Sequence, residues 1–226
     1  MRPEPTGTDG PGRSGRSGRA GRPALRSRAG ITAAAIGVAD REGLDAVSMR
    51  RVAAELGTGA ASLYRYVETR DELLDLMCDA TAAEYTWAER AGDWLAGLLA
   101  VGEQQRGIIR RHPWLPGLVL TRPVLGPHGL ALLEHVLEVL APHPASVGAK
   151  LEAFAMLTSI TATFAQEELS GGSARQERNA AYLQHALASG QHPQLARRLA
   201  EAAPPPAEVA DRYRDVLGRI LTGLLS

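Results

Sequence analysis

Six histidines and one cysteine are the residues of this 226-residue chain that could hold a metal or attack an electrophile. The histidines show no recognisable ligand spacing, and Cys78 alone can form neither an intramolecular disulfide nor a multi-cysteine metal site. Glu167 and Glu168 are neighbours on a helical stretch and point in different directions, so they make no acid–base pair. No phosphate-loop glycine pattern, nucleophile elbow or zinc signature occurs. The expectation is therefore a protein that is not an enzyme and takes no metal and no cofactor. What remains is hydrogen-bond donation: Arg50, Ser62, Tyr64, Arg65, Tyr66 and Arg70 crowd the stretch from position 50 to 70.

Those donors need elements to hold them. From about Ser27, Ile31, Ala34, Ala35, Val38 and Ala39 recur on one helical face, which Gly43 closes. Ser48 offers an N-cap oxygen ahead of a helix over Met49 to Leu56, with Val52, Ala53 and Leu56 inward and Gly57 as its stop. After the turn at Gly57 to Gly59, the short segment Ala60 to Tyr66 turns Leu63 and Val67 toward the first two helices. Two short helices joined by such a glycine turn form a helix-turn-helix, whose second helix lies in the DNA major groove. A helix restarts at Thr69 or Arg70, and Leu73, Leu74, Met77, Ala80 and Ala83 give it a long apolar stripe.

The stretch ITAAAIGVADREGLDAVSMRRVAAELGTGAASLYRYVETRDELL, Ile31 to Leu74, resembles the DNA-binding domain of the tetracycline-repressor (TetR) family. The resemblance implies an all-α chain: a basic arm over 1–26, a helix-turn-helix domain over 27–72, and a helical effector-binding and dimerisation domain over 73–226. It implies a cytoplasmic homodimer on a palindromic operator in double-stranded DNA, released by a small-molecule effector. The implied DNA-binding set is Ser48, Met49, Arg50, Ala60, Ala61, Ser62, Tyr64, Arg65, Tyr66 and Arg70. Arg50 matches a position that approaches a guanine edge, for which an arginine fork is suited. Tyr64, Tyr66 and Arg70 match positions that hold phosphates and so fix register without reading sequence. Ala60, Ala61, Ser62 and Arg65 occupy the open side of the short helix, where small residues permit close approach and Arg65 could read guanine. Tyr64 is as well suited to packing partly into the domain, and Arg51 reads as a solvated charge.

Beyond Gly92 the chain reads as further helices punctuated by Pro and Gly: Trp94 to His112, a short element over Leu115 to Leu120, one through Leu130 to Leu140, and a long one over Val147 to Leu169. Gly171 and Gly172 read as the opening of a polar loop. Two helical pieces broken near Pro193, a stiff Pro204–Pro206 spacer and a final helix follow. The long helix carries one stripe of Leu151, Ala155, Thr158, Ala162, Ala165 and Leu169, small enough to admit a neighbouring helix. The last helix carries a broad seam of Val209, Tyr213, Val216, Leu217, Ile220, Leu221, Leu224 and Leu225. Family members pair two such helices per subunit in a four-helix dimer interface.

A second stripe, Met156, Ser159, Ile160, Thr163 and Phe164, together with Trp114, Leu118, Arg122 and His135, is expected to line a mostly apolar ligand pocket. LVLTRPVLGPHGLALLEHVL resembles the stretch of tetracycline repressors that approaches their drug, with Thr121, Arg122 and Pro123 matching. The family's metal-binding histidine falls at Leu118, which cannot ligate magnesium, so a hydrophobic effector independent of metal is expected.

Bulk properties fit this. The chain is 45% hydrophobic with zero formal net charge. The front nevertheless concentrates Arg2, Arg13, Arg16, Arg19, Arg22, Arg26 and Arg28 among Gly, Ser and Pro, and reads as a flexible basic arm that follows phosphates. AGRP within it faintly resembles an AT-hook core. An architectural DNA coater and an enzyme with a DNA-binding head are the competing readings. No run of about 18 apolar residues spans a bilayer, and the single cysteine suits a reducing compartment.

Overall fold

The computed structural model describes residues 27–87, 92–122, 125–201 and 209–226, and they form eleven α-helices and one short 3-10 turn. The arm over 1–26, Pro123 and the Pro204–Pro206 spacer lie outside the described residues. Among the described residues there is no strand, and no helix is long and apolar enough to cross a membrane.

The N-terminal helices start and stop where local chemistry dictates. Helix α1 (Arg28–Glu42) begins at Ser27, whose hydroxyl accepts from Gly30 N at 3.1 Å, and ends at Gly43, held at φ 86°. A 3-10 turn (Leu44–Ala46) leads to α2 (Met49–Glu55), capped by Ser48 Oγ accepting from Arg51 N at 3.1 Å. Gly57 takes φ 62°, a left-handed conformation that a side chain would strain, and so sets the turn into α3 (Ala60–Leu63). The short segment expected over Ala60 to Tyr66 is thus helical only through Leu63. Thr69 Oγ1 caps α4 (Arg70–Ala82) by accepting from Glu72 N at 3.0 Å, while Glu72 reaches back to accept from Glu68 N at 2.6 Å. This close relative of a capping box fixes where the long connecting helix begins.

The body contains α5 (Trp94–Arg111), α6 (Pro116–Val119), α7 (Pro127–Val139), α8 (Val147–Leu169), α9 (Gly172–Ala188), α10 (Pro193–Glu201) and α11 (Val209–Leu225). Where a polar loop was expected after Gly171, α9 begins at Gly172; Gly171 alone, at φ 66°, breaks the path from α8. The start of α7 is capped from another helix: Asp79 Oδ1 on α4 accepts from His128 N at 3.0 Å and Gly129 N at 2.9 Å. A Cβ at Gly126 would overlap that carboxyl, so glycine is required there.

Two apolar clusters hold the molecule together. One joins Val38, Val52, Leu63, Val67 and Leu73 of the head to Ile109, Leu115 and Leu118 of the body, so head and body share a core. The other packs α5, α7, α8 and α11 through Leu98, Val136, Leu157, Tyr213, Leu217 and Leu221. Each such leucine contributes about 1.5–3 kcal/mol by leaving water. Within the second cluster the Tyr213 hydroxyl sits 2.8 Å from Thr161 Oγ1, and Arg106 lies 4.9 Å over the Tyr213 ring. Burial pushes the Tyr213 phenol up to about 12 despite that hydrogen bond, so it stays neutral.

Candidate nucleic-acid interface and effector cavity

The head separates its arginines by occupation. Arg28 pairs with Glu72, Arg41 with Glu55 at 2.8 Å, and Arg51 with Glu42 and Glu55 at 2.5 and 3.0 Å. Arg51, expected as a solvated charge, is thus tied into the surface between α1 and α2. Among the described residues of the head, Arg50 and Arg65 form no ion pair, and both are exposed. Arg50 stands at the second position of α2 and Arg65 just beyond α3, on either side of the glycine turn. Two unengaged guanidinium forks on the open side of a helix-turn-helix are chemically suited to base edges or phosphates.

The other expected contacts sort themselves by burial and bonding. Tyr64 and Tyr66 are 51% and 38% exposed, so both side chains are open to a partner. Ala61 is open, and Ala60 packs partly against the core. Ser62 Oγ donates to Gly59 O at 2.8 Å and lies 2.9 Å from Thr58 Oγ1, which stiffens the turn. Two residues stand elsewhere than expected. Met49 is 6% exposed and belongs to the core, because α2 must cover the inside of the head with its first turn. Arg70 spends its guanidinium on the backbone, donating from Nε to Val47 O at 2.7 Å and from Nη2 to Leu44 O at 3.2 Å. It therefore ties the start of α4 to the turn between α1 and α2.

In the body, a cavity of about 390 Å³ lies between α4, α5, α6, α7 and α8. This is within the ~300–1,000 Å³ range of pockets for organic ligands. Its wall is chiefly apolar, and exposed Leu120, Leu125 and Leu151 flank it. Cys78 lines it too, with its thiol pushed up to about 12 by burial, so it is an inert apolar wall rather than a nucleophile. Arg122 is its one charged residue among those described, and Asp71 and Asp75 of α4 engage it at 2.7 and 2.9 Å. Burial also drives the Tyr85 phenol far up, leaving a neutral hydroxyl. No group of acidic, histidine or cysteine side chains that could hold a metal occurs among the described residues.

Two family descriptions match the chain: "Bacterial regulatory proteins, tetR family" over residues 31–77, and "Tetracyclin repressor-like, C-terminal domain" over residues 88–226. The chain belongs to the TetR family. It is 35% identical over 206 residues to the HTH-type transcriptional repressor DrrR1 of Streptomyces coeruleorubidus, covering 86% of this chain and 75% of that protein. Its fold is similar to ActR of Streptomyces coelicolor in complex with actinorhodin, with TM-score 0.74, 30% identity, and coverage of 88% of this chain and 95% of ActR. ActR in complex with (S)-DNPA gives TM-score 0.73 at 31% identity, covering 88% and 97%. This TetR-family chain is accordingly a DNA-binding transcriptional regulator and not an enzyme.

Of the effector residues expected from sequence, this TetR-family body brings only Arg122 and Ser159 to the cavity. Leu118 is buried in the head–body core, and Trp114, 7% exposed, donates from Nε1 to Asp40 Oδ1 at 2.6 Å. His135 lies against Trp87, with ring centroids 4.6 Å apart and planes tilted by 36°. Phe164 packs edge-on against Tyr213, and Ile160 lies against the second cluster. Met156 and Thr163 face outward. The stripe of α8 that does meet the cavity is Leu151, Ala155 and Thr158, the one expected to meet a partner helix. The helix is apolar on two sides, and the cavity opens on the stripe other than the one expected to line it.

The sequence reading also missed Gln105 and Tyr85, both of which line the cavity. Gln105 had a legible signal: it interrupts the inward series Leu98, Val101, Gly102, Ile108, Ile109 of α5 with a polar side chain.

Proposed function

We propose that this chain is a cytoplasmic repressor that binds a palindromic operator as a homodimer and leaves it when a small, largely apolar molecule fills the cavity of its body. The observation that carries the reading is the continuity between the two sites. Helix α4 begins against the DNA-binding head through Arg70 and continues into the cavity wall through Cys78, Thr81 and Ala82. A ligand that reshapes the wall thereby acts on the element that carries the head. In the proposed complex Arg50 and Arg65 read bases, Ala61 approaches them, and the Tyr64 and Tyr66 hydroxyls hold phosphates.

Dimerisation is supported by what α8 and α11 leave outside. These helices pack along each other, while Met156 on α8 and Leu224 on α11 remain about 40% exposed. Helix α10 has no buried residue although Leu195 and Leu199 repeat at helical spacing. An effector role for the cavity is supported by ActR, whose solved structures include complexes with actinorhodin and with (S)-DNPA.

The test is selection of duplexes from a random-sequence pool by the full chain, followed by footprinting of the enriched site. A palindrome with two half-sites protected one helical turn or a multiple of it apart is expected. Coating without an enriched sequence would overturn the reading in favour of an architectural protein.

A further inference from the structure

His112 closes α5 with both nitrogens of its ring against carboxylates. Nδ1 lies 2.8 Å from Asp40 Oδ1 on α1, and Nε2 lies 2.7 Å from Glu84 Oε1, just past the end of α4. The side chain is 10% exposed, so water has little room to stand in for either partner. Carboxylate oxygens only accept hydrogen bonds, and a neutral imidazole carries a single N–H. Two such contacts on one ring therefore require a proton on each nitrogen.

Both carboxylates already receive other donors, which leaves the second proton on the ring rather than on an oxygen. Trp114 Nε1 donates to Asp40 Oδ1 at 2.6 Å, and Arg111 Nε donates to Glu84 Oε2 at 3.0 Å. Charged groups thus reach the junction from each element: Asp40 from α1, Glu84 from the segment after α4, and Arg111 from α5. The neighbouring cations Arg41 and Arg110 are engaged by Glu55 and Glu168. With the ring charged, two anions meet two cations. With the ring neutral, one carboxylate faces a nitrogen lone pair in a site nearly closed to water, where the repulsion is little screened.

We propose, resting on the operator reading above, that His112 is a positioning residue for DNA binding: as an imidazolium it struts α1 and the end of α4 against α5, and so links operator binding to proton uptake. Helix α1 belongs to the head and α4 carries it, so a slackened strut leaves the head less firmly set on the body. Two heads must meet half-sites at a fixed spacing, and binding weakens when that spacing is less defined. A protonated ring contributes at lower pH and its contribution is lost as pH rises, so operator affinity falls with rising pH. His112 does not line the cavity, which makes this input separate from the effector.

The experiment measures the Kd of the full chain for the palindrome enriched by the selection above, by fluorescence anisotropy from about pH 6 to about 9, where ordinary carboxylates stay ionised. The wild-type Kd is expected to rise about fivefold or more across that range. His112→Gln keeps one amide donor but no titrating ring, so it should bind more weakly at the acidic end and lose most of the pH dependence. The other histidines are common to both chains and cancel in the comparison. Without DNA, the gap in thermal midpoint between the two chains should narrow as pH rises. Glu84→Gln keeps an oxygen for Nε2 but removes one anion, so the rise in Kd should move to lower pH, which a merely structural contact would not do. Wild-type affinity that is flat or improves with pH, or a profile unchanged in His112→Gln, overturns the linkage even though the palindrome is bound. Should His112→Gln fail to fold, an unmoved profile in Glu84→Gln overturns it equally. If no palindrome is enriched, the operator reading fails and the linkage with it, and a midpoint gap independent of pH would remove the strut as well.

Discussion

The indole of Trp114 and the carboxylate of Asp40 meet across the boundary between head and body, with Nε1 donating to Oδ1 at 2.6 Å. The same oxygen lies 2.8 Å from His112 Nδ1, and the far ring nitrogen of His112 lies 2.7 Å from Glu84 Oε1. One side chain of α1 thus anchors the segment that leaves α5, and the anchor sits on the apolar core shared by head and body.

Asp40→Ala should therefore cost about 1–3 kcal/mol, because it leaves a buried indole N–H without an acceptor. Trp114→Phe should cost less when Asp40 is already absent. A double-mutant cycle by urea unfolding should give a coupling of about 1 kcal/mol. Strict additivity would show that the contact does not tie head to body.

The dimer prediction moves away from the broadest sequence seam. Leu217 and Leu221 are completely buried within the subunit, so charges there should unfold the chain rather than separate two copies. Met156→Glu combined with Leu224→Glu should instead yield a folded monomer in sedimentation, with operator affinity falling at least tenfold as one half-site is lost. A folded dimer with wild-type affinity would move the interface elsewhere.

How much of this was legible follows from range in sequence. The bounds of α8, Val147–Leu169, match the sequence expectation because local signals set both ends: the Ser146 hydroxyl accepts from Ala149 N at 3.2 Å, and Gly171 takes a positive φ. The register of the head was legible for the same reason. The inner face of α8 was not, since an apolar pattern on two sides does not say which neighbour packs on which. Arg70 shows the limit more sharply. Its bonds to Leu44 and Val47 span more than twenty positions, and no local pattern distinguishes a guanidinium held by carbonyls from one left open to a phosphate.

A pH dependence follows from Glu168. Burial pushes its carboxyl up, but the hydrogen bonds from Arg106 and Arg110 outweigh this and hold it below the ordinary value of 4.5. A carboxyl lowered in the folded state contributes stability that is fully present above its unfolded value and is lost as pH falls through the folded one. The wild-type chain should therefore hold its stability from pH 7 to about 5 and lose part of it below about 4.5. Glu168→Gln should be destabilised at neutral pH, where buried Arg106 keeps only Glu103 at 3.5 Å as a charged partner, with the gap closing toward pH 3. Thermal melts across that range check it; a gap independent of pH would mean the ion pair contributes nothing beyond its packing.

The central claim is that Arg50 and Arg65, which among the described residues engage neither a carboxylate nor a backbone carbonyl, meet DNA in the proposed complex. Arg28, Arg41 and Arg51 through carboxylates, and Arg70 through carbonyls, build the head. Fluorescence anisotropy of the selected palindrome and its single-base variants, across a salt series, tests it most directly. Arg50→Ala should cost roughly 1–3 kcal/mol on the palindrome and relax preference at one base pair in each half-site. Arg70→Ala should lower the thermal midpoint, through its lost backbone bonds, without changing the ranking of the variants or the slope of log affinity against log salt. Uniform loss on every variant for Arg50→Ala, together with a flattened salt slope for Arg70→Ala, would contradict the division of labour read from the ion pairs.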